Sequence, residues 1–157
     1  MNELPYGLQG KVFGSGMPYS PVYDPTGTLF ELYQQQGVGA VVLLAEDEEC
    51  LKYTGRNLRE LYADQGMKVI FLPIRDLGTP DLEALTEAVE DALSQAGDGV
   101  SIAMHCYSGV GRTGMFAACM AKRAFNLDAM GAIDWVRKSI PEAVETPEQA
   151  KIVNLFK

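Results

Sequence analysis

The chain has 157 residues, 47% hydrophobic and 22% charged, which fits one domain that buries roughly 70% of the unfolded chain's surface. Thirteen Lys and Arg against 21 Asp and Glu give a net charge of −8. That balance argues against nucleic acid and against anionic membranes, because both partners need a concentrated basic face.

Three cysteines, Cys50, Cys106 and Cys119, follow no repeating spacing, and His105 is the lone histidine. A disulfide framework is therefore not expected, and a zinc site has too few ligands, so neither metal nor cofactor is called for. The N-terminal stretch has no apolar run of signal-peptide length, and no segment reaches membrane-spanning length. A reduced, cytoplasmic setting and a monomer are expected.

In chain order, an apolar run near Lys11–Phe13 predicts a first short strand. Asp24-Pro25 sets an N-cap before a proline at N1 and predicts a helix that Gly37 closes. Ala40–Leu44 predicts a buried strand. The acidic run Glu46-Asp47-Glu48-Glu49 behind it reads as a solvated loop. It stands at a strand's carboxyl end, where such sheets place ligand contacts, and facing a pocket it would disfavour highly acidic substrates. One helix within Cys50–Gln65 carries Leu58, Leu61 and Tyr62 on one face and ends at Gly66.

Val69–Leu72 predicts a third strand, and a helix opening at Thr79-Pro80 shows Leu82, Leu85, Val89 and Ala92–Leu93 at helical spacing. Val100–His105 predicts a fourth strand, with a helix after Gly111. Another helix covers Asp128–Lys138, with Met130, Ile133 and Trp135 as its core face. The last opens at Thr146-Pro147-Glu148-Gln149, a capping-box spacing. Strands alternating with helices predict an α/β fold whose sheet is mainly parallel and covered on both faces.

The chemistry concentrates in His105-Cys106-Tyr107-Ser108-Gly109-Val110-Gly111-Arg112-Thr113-Gly114, between an apolar strand and a helix. Backbone N–H groups from Cys106 to Arg112 that turn inward at a helix N-terminus form an anion cradle. Gly109 and Gly111 remove the steric penalty of the dihedrals it needs. A cysteine in such surroundings is favoured as thiolate. Arg112 offers a planar fork to two phosphate oxygens. Thr113 places a hydroxyl within reach of the sulfur, and His105 orients the loop through its ring nitrogens. An isolated buried cysteine is an inert small hydrophobe. The whole pattern, however, arises by chance at on the order of one in 10⁸ positions.

This stretch resembles the protein tyrosine phosphatase superfamily, whose signature is HCxxGxxR followed by Ser or Thr. The resemblance implies a sheet of four to five strands, mainly parallel but mixed, flanked by helices. It implies Cys106 as the nucleophile that becomes phosphocysteine and Arg112 as the ligand of the phosphoryl oxygens. Sulfur stabilisation falls to Thr113, and an orienting role to His105. The resemblance further implies that phosphate is held by Cys106, Tyr107, Ser108, Gly109, Val110, Gly111 and Arg112.

Ester cleavage also needs a general acid, and Asp76 and Asp81 both qualify by residue type. Asp81 has a competing task near N2 of a helix, where it complements the dipole. The family's acid loop reads WPDFGVP, and its Asp-x-Gly-x-Pro spacing recurs as Asp76-Leu77-Gly78-Thr79-Pro80, which favours Asp76. Ile74-Arg75 replaces the Trp-Pro before the acid, closer to the small dual-specificity branch, so a large hinged loop motion is not implied. Gln149 has two readings, the N3 residue of a capping box and a holder of the hydrolytic water. Cys50 and Cys119 are expected to be buried thiols.

The activity implied is hydrolysis of phosphomonoesters on a phosphorylated protein or peptide, phosphotyrosine first, with dual specificity open. Other possibilities are a phosphoinositide phosphatase, a phospho-binding module without turnover, and a sulfur transferase or arsenate reductase with a related loop. Phosphoinositide enzymes carry lysines in the loop, whereas Tyr107–Gly111 is uncharged. Binding modules lose one of the nucleophile, the arginine and the acid. All three are present.

Overall fold

The computed structural model describes residues 1–157. Its strands are β1 (Asn2–Leu4), β2 (Val12–Ser15), β3 (Val38–Leu43), β4 (Lys68–Phe71) and β5 (Ser101–His105), in the order β1-β2-β5-β3-β4. Strands β2, β5, β3 and β4 are parallel, and β1 pairs antiparallel with β2. The expected α/β sheet is thus present, extended by β1. Of β1's three residues only Leu4 is buried, so it shows too little periodicity to be legible in sequence.

Side-chain alternation along the central strands divides the core in two. Ala40, Val42 and Leu44 share one face with Ile102, Met104 and Cys106, while Val41, Leu43 and Ala45 share the other with Ala103. The first face is covered by α4 (Leu82–Gly97), α5 (Gly111–Phe125), α6 (Ala129–Arg137) and α7 (Pro147–Leu155). The second packs against α1 (Leu29–Gln35), α2 (Asp47–Thr54) and α3 (Leu58–Asp64). With apolar residues on both faces, β3 and β5 read as continuous hydrophobic runs. No helix is long and apolar enough to cross a membrane.

Several helix boundaries differ from expectation. Helix α1 starts at Leu29, not Pro25, because Gly27 takes a left-handed φ of +67° and breaks any helix begun there. Asp24 instead ties the preceding turn, accepting from the N–H groups of Tyr19 at 2.7 Å and Thr28 at 2.9 Å. The single helix expected within Cys50–Gln65 is two: Gly55 ends α2 in the left-handed region, and the Asn57 side chain caps α3. The acidic run is no solvated loop, since Asp47, Glu48 and Glu49 form the first turn of α2, where the helix dipole favours them. Helix α4 opens at Leu82 with Asp81 as its N-cap rather than near N2. Met130 is 68% exposed, so it lies off the core face that Ile133 occupies.

His105 closes β5 fully buried and links it to α3. Its Nδ1 lies 2.9 Å from the Cys106 carbonyl oxygen and its Nε2 2.8 Å from the Tyr62 hydroxyl. A carbonyl only accepts, so Nδ1 carries the proton, and the Tyr62 hydroxyl donates to Nε2. Burial, with help from the Arg112 charge, lowers the His105 pKa from 6.5 to about 4, despite the carbonyl's opposing effect. The unfolded chain therefore takes up a proton below pH 6.5 that the folded chain refuses until about pH 4. Stability from the neutral ring is complete above that window and drains away as pH falls through it. Urea unfolding of the wild type should lose about 2 kcal/mol more between about pH 7 and about pH 5 than His105→Asn does. Equal losses would mean that the ring is not held neutral.

Candidate active site

Four parallel strands bring four carboxyl ends to one edge of the sheet, and the segments leaving them meet there. From β5 comes the loop beginning at Cys106, from β3 the acidic first turn of α2, from β4 the segment Ile74–Gly78, and from β2 Ser15–Met17. The cysteine loop is fastened to the β2 exit by the Met17 N–H, which donates to the Tyr107 carbonyl at 2.9 Å. Gly109 takes a φ of +81°, and a Cβ there would collide with the Ser15 backbone. Only glycine fits this approach of two backbones.

Cys106 is 1% exposed. Its Sγ accepts two hydrogen bonds, from the Gly109 N–H at 3.3 Å and from the Thr113 Oγ1 at 3.2 Å. Helix α5 starts at Gly111 without a side-chain cap, so its first N–H groups are open to a bound anion. A Cβ on Gly111 would strike the Glu145 carboxylate, which places the segment before α7 against this helix start.

Arg112 is 2% exposed and held from three sides. Its Nη1 donates to Glu49 Oε2 at 2.7 Å and to the Ile74 carbonyl at 2.8 Å. Its Nη2 donates to Glu49 Oε1 at 2.8 Å and to Asp76 Oδ1 at 3.1 Å. The Glu49 contact is a fork-to-fork pair between two largely buried side chains. Burial works against the guanidinium's charge. The hydrogen bonds to Glu49 and the negative field of Cys106, Glu49 and Asp76 outweigh it, and the Arg112 pKa rises above its ordinary value.

The expected site residues divide accordingly. Cys106 is hydrogen-bonded to Thr113 and Arg112 to Asp76, two pairs set on consecutive residues of α5, with His105 on the Cys106 carbonyl. Asp81 stands outside this group and caps α4, accepting from the N–H groups of Glu83 at 3.0 Å and Ala84 at 3.1 Å. Gln149 is buried and completes the capping box of α7 with Thr146, while its Nε2 lies 3.5 Å from the Gly78 carbonyl oxygen. Gln149 thus has its capping role, and the same side chain touches the loop that bears Asp76. Cys50 and Cys119 are buried free thiols, each pushed up to about 12, chiefly by burial.

Glu49 is the site residue that sequence reasoning missed. Its signal was an acidic run at a strand's carboxyl end, but nothing local distinguishes it from Glu46 or Glu48. Those two line a cleft of about 270 Å³ beside the site, together with Glu49, Lys52, Tyr53, Arg75 and Asp76. Tyr107 stacks on Tyr53 with ring centroids 4.1 Å apart and meets Tyr23 edge-on at 4.9 Å, giving the loop an aromatic flank.

Residues 15–125 match a family model described as a polymorphic toxin system DSP-PTPase phosphatase. Cyclin-dependent kinase inhibitor 3 of Rattus norvegicus is 32% identical over 90 residues, 57% of this chain and 42% of that protein. The chain thus spans less than half of this relative's length. Among solved structures, kinase associated phosphatase with its catalytic cysteine replaced by serine superposes with a TM-score of 0.86. It is 24% identical, over 99% of this chain and 92% of that one. Tk-PTP in its active form gives a TM-score of 0.79 at 27% identity, covering 98% of this chain and 95% of that one. The matched model spans most of the chain, including the whole cysteine loop, and the chain belongs to the dual-specificity branch of the protein tyrosine phosphatase family.

Proposed function

We propose that the chain hydrolyses phosphomonoesters on phosphorylated proteins or peptides, phosphotyrosine foremost, through a phosphocysteine on Cys106. The observation that carries this is the meeting of two hydrogen-bonded pairs at the sheet's edge, set on consecutive residues of α5: Thr113 donates to Cys106 Sγ and Arg112 donates to Asp76. Two donors aimed at the sulfur are what a thiolate needs, both as nucleophile and later as leaving group.

In the first step the Cys106 sulfur attacks phosphorus in line. The ester P–O bond breaks, and Asp76 gives its proton to the departing oxygen. In the second step Asp76, now a carboxylate, takes a proton from water as the water attacks the phosphocysteine. The S–P bond breaks, phosphate leaves, and the sulfur recovers its electron pair. Arg112 and the loop N–H groups meet the charge on the equatorial oxygens throughout, and so supply positive field in the transition state. Gln149, tied to Gly78, stands where an amide could steady the attacking water.

Glu46 and Glu48 favour a phosphopeptide over a polyphosphorylated headgroup. Their carboxylates line the cleft next to Arg112 and would repel further phosphates. The aromatic flank of Tyr53, Tyr107 and Tyr23 suits a phenolic ester. The matched family model is described in terms of polymorphic toxin systems.

Cys106→Ser should abolish turnover of an aryl phosphate yet still bind inorganic phosphate, because Arg112 and the loop amides remain. Appreciable turnover by this variant, with contaminating phosphatase excluded, would refute Cys106 as nucleophile.

The two aspartates can be separated by kinetics. Asp76→Asn should slow phosphotyrosine cleavage by ~10²–10⁴-fold, the usual worth of general acid–base catalysis. It should lose less on an ester with a good leaving group, and the basic limb of its pH–rate profile should flatten. Asp81→Asn should behave as wild type, since asparagine is an equally good N-cap. The opposite pattern in side-by-side profiles would transfer the acid to Asp81.

A further inference from the structure

The guanidinium of Arg112 has no idle terminal N–H. Each terminal nitrogen carries two protons, and each makes two hydrogen bonds: Nη1 to Glu49 and Ile74, Nη2 to Glu49 and Asp76. Only the Nε–H is without a protein acceptor. A planar fork that is to grip a phosphoryl group with two N–H groups therefore needs a second one released.

The four acceptors are unequal. Glu49 grips both terminal nitrogens at 2.7 and 2.8 Å, and its side chain is 11% exposed. The Ile74 carbonyl belongs to a residue that is 1% exposed and whose own N–H is bonded to the Leu44 carbonyl. Asp76 makes one contact, the longest of the four at 3.1 Å, from a side chain 68% exposed. Separating buried partners leaves an uncompensated charge, whereas water replaces an exposed one at little cost. Asp76 is the acceptor that can leave.

We propose that Asp76 occupies the place of a phosphoryl oxygen on Arg112 Nη2 in the free enzyme, and that the bound phosphoryl group displaces it. This rests on the assignment of residues 106–112 as the phosphate loop. The exchange is carboxylate for phosphoryl oxygen at one N–H, with no bond made or broken. Arg112 would then hold the substrate through Nε and Nη2, while Glu49 keeps the far edge of the guanidinium in place. Filling the cradle and freeing the carboxylate beside the leaving oxygen become one event, and the freed carboxylate, no longer paired with Arg112, takes up a proton from water that it can then give to the ester oxygen.

The backbone around Asp76 suits a side-chain swing rather than a loop movement. Ile74 is bonded to Leu44 on one side, and on the other the Gly78 N–H closes a turn onto the Arg75 carbonyl at 2.8 Å. Between them Leu77 sits at a φ of +59°, with its N–H 3.1 Å from Asp76 Oδ1. Both flanks stay attached while the carboxylate turns away from Arg112. Of the other charged groups lining the cleft, Lys52 and Arg75 could receive it, and Glu46 and Glu48 oppose it.

The test is equilibrium binding of inorganic phosphate by calorimetry in the Cys106→Ser background, which has no turnover to confuse it. Adding Asp76→Ala should tighten phosphate by roughly three- to tenfold, the worth of removing one exposed competitor for the same N–H. Adding Glu48→Ala, which deletes an equal charge from the same cleft without touching Arg112, should change it by much less. Equal tightening by the two would reduce the effect to bulk charge and overturn the displacement, as would no tightening by Asp76→Ala. Failure of Cys106→Ser itself to bind phosphate would overturn the phosphate-loop assignment on which the exchange rests. Crystals of Cys106→Ser with and without phosphate give the direct view. The Asp76 carboxylate should leave Nη2 when the anion arrives, and its persistence there beside bound phosphate would contradict the proposal.

Discussion

A buried guanidinium cannot stand alone in a protein interior, and Arg112 sets the terms for everything around it. Its charge is balanced by Glu49 from the β3 exit and by Asp76 from the β4 exit, and the Ile74 carbonyl of that exit accepts a further N–H, while Arg112 itself belongs to the helix that follows β5. One side chain thus ties together the segments leaving three neighbouring parallel strands. Removing a partner would leave a buried charge uncompensated, which costs several kcal/mol in typical cases. The position of the Ile74–Gly78 segment relative to the cysteine loop is therefore tied, through the Ile74 carbonyl, to the same guanidinium that Glu49 keeps buried. Stability and site geometry share one set of contacts.

The sheet makes that convergence possible. Because β2, β5, β3 and β4 run in one direction, every functional segment emerges at the same edge, and α5 presents its N-terminus to the same point. Side chains of β5 alternate between the two cores, so Met104 and Cys106 face α5 while His105 faces α3. The pair of His105 and Tyr62 closes the far side of the loop without adding charge beneath it. Positive field at the site comes from Arg112 and from backbone N–H groups, and the acidic cleft lies outside. A chain of net charge −8 can in this way hold an anion locally.

Much of this was legible in the sequence where chemistry and backbone shape coincide in a short stretch. His105 through Gly114 announces a strand, a glycine-bearing turn and a helix start, and the structure has each in place. The capping box at Thr146 and Gln149 and the continuous apolar strands were readable for the same reason. What escaped depended on distant partners. Glu49 looks like any glutamate in an acidic run until the fold sets Arg112 opposite it. Asp24-Pro25 has the form of a helix start, yet Gly27 turns left-handed two residues later and delays the helix to Leu29. The break between α2 and α3 rests on Gly55, whose left-handed cap interrupts an otherwise acceptable helical pattern. Local grammar predicts elements, and long-range ion pairing decides which of several equivalent carboxylates belongs to the site.

Passage of the substrate's phosphoryl group through the sulfur of Cys106 leaves a covalent trace that can be caught. The experiment is rapid mixing with a phosphotyrosine peptide, followed by acid quench within the first turnover and mass analysis of the digested protein. The added mass of one phosphoryl group should appear on the peptide containing Cys106, vanish as turnover completes, and be absent from Cys106→Ser. Steady turnover with that peptide never modified at any quench time, or modification of a different residue, would contradict the account.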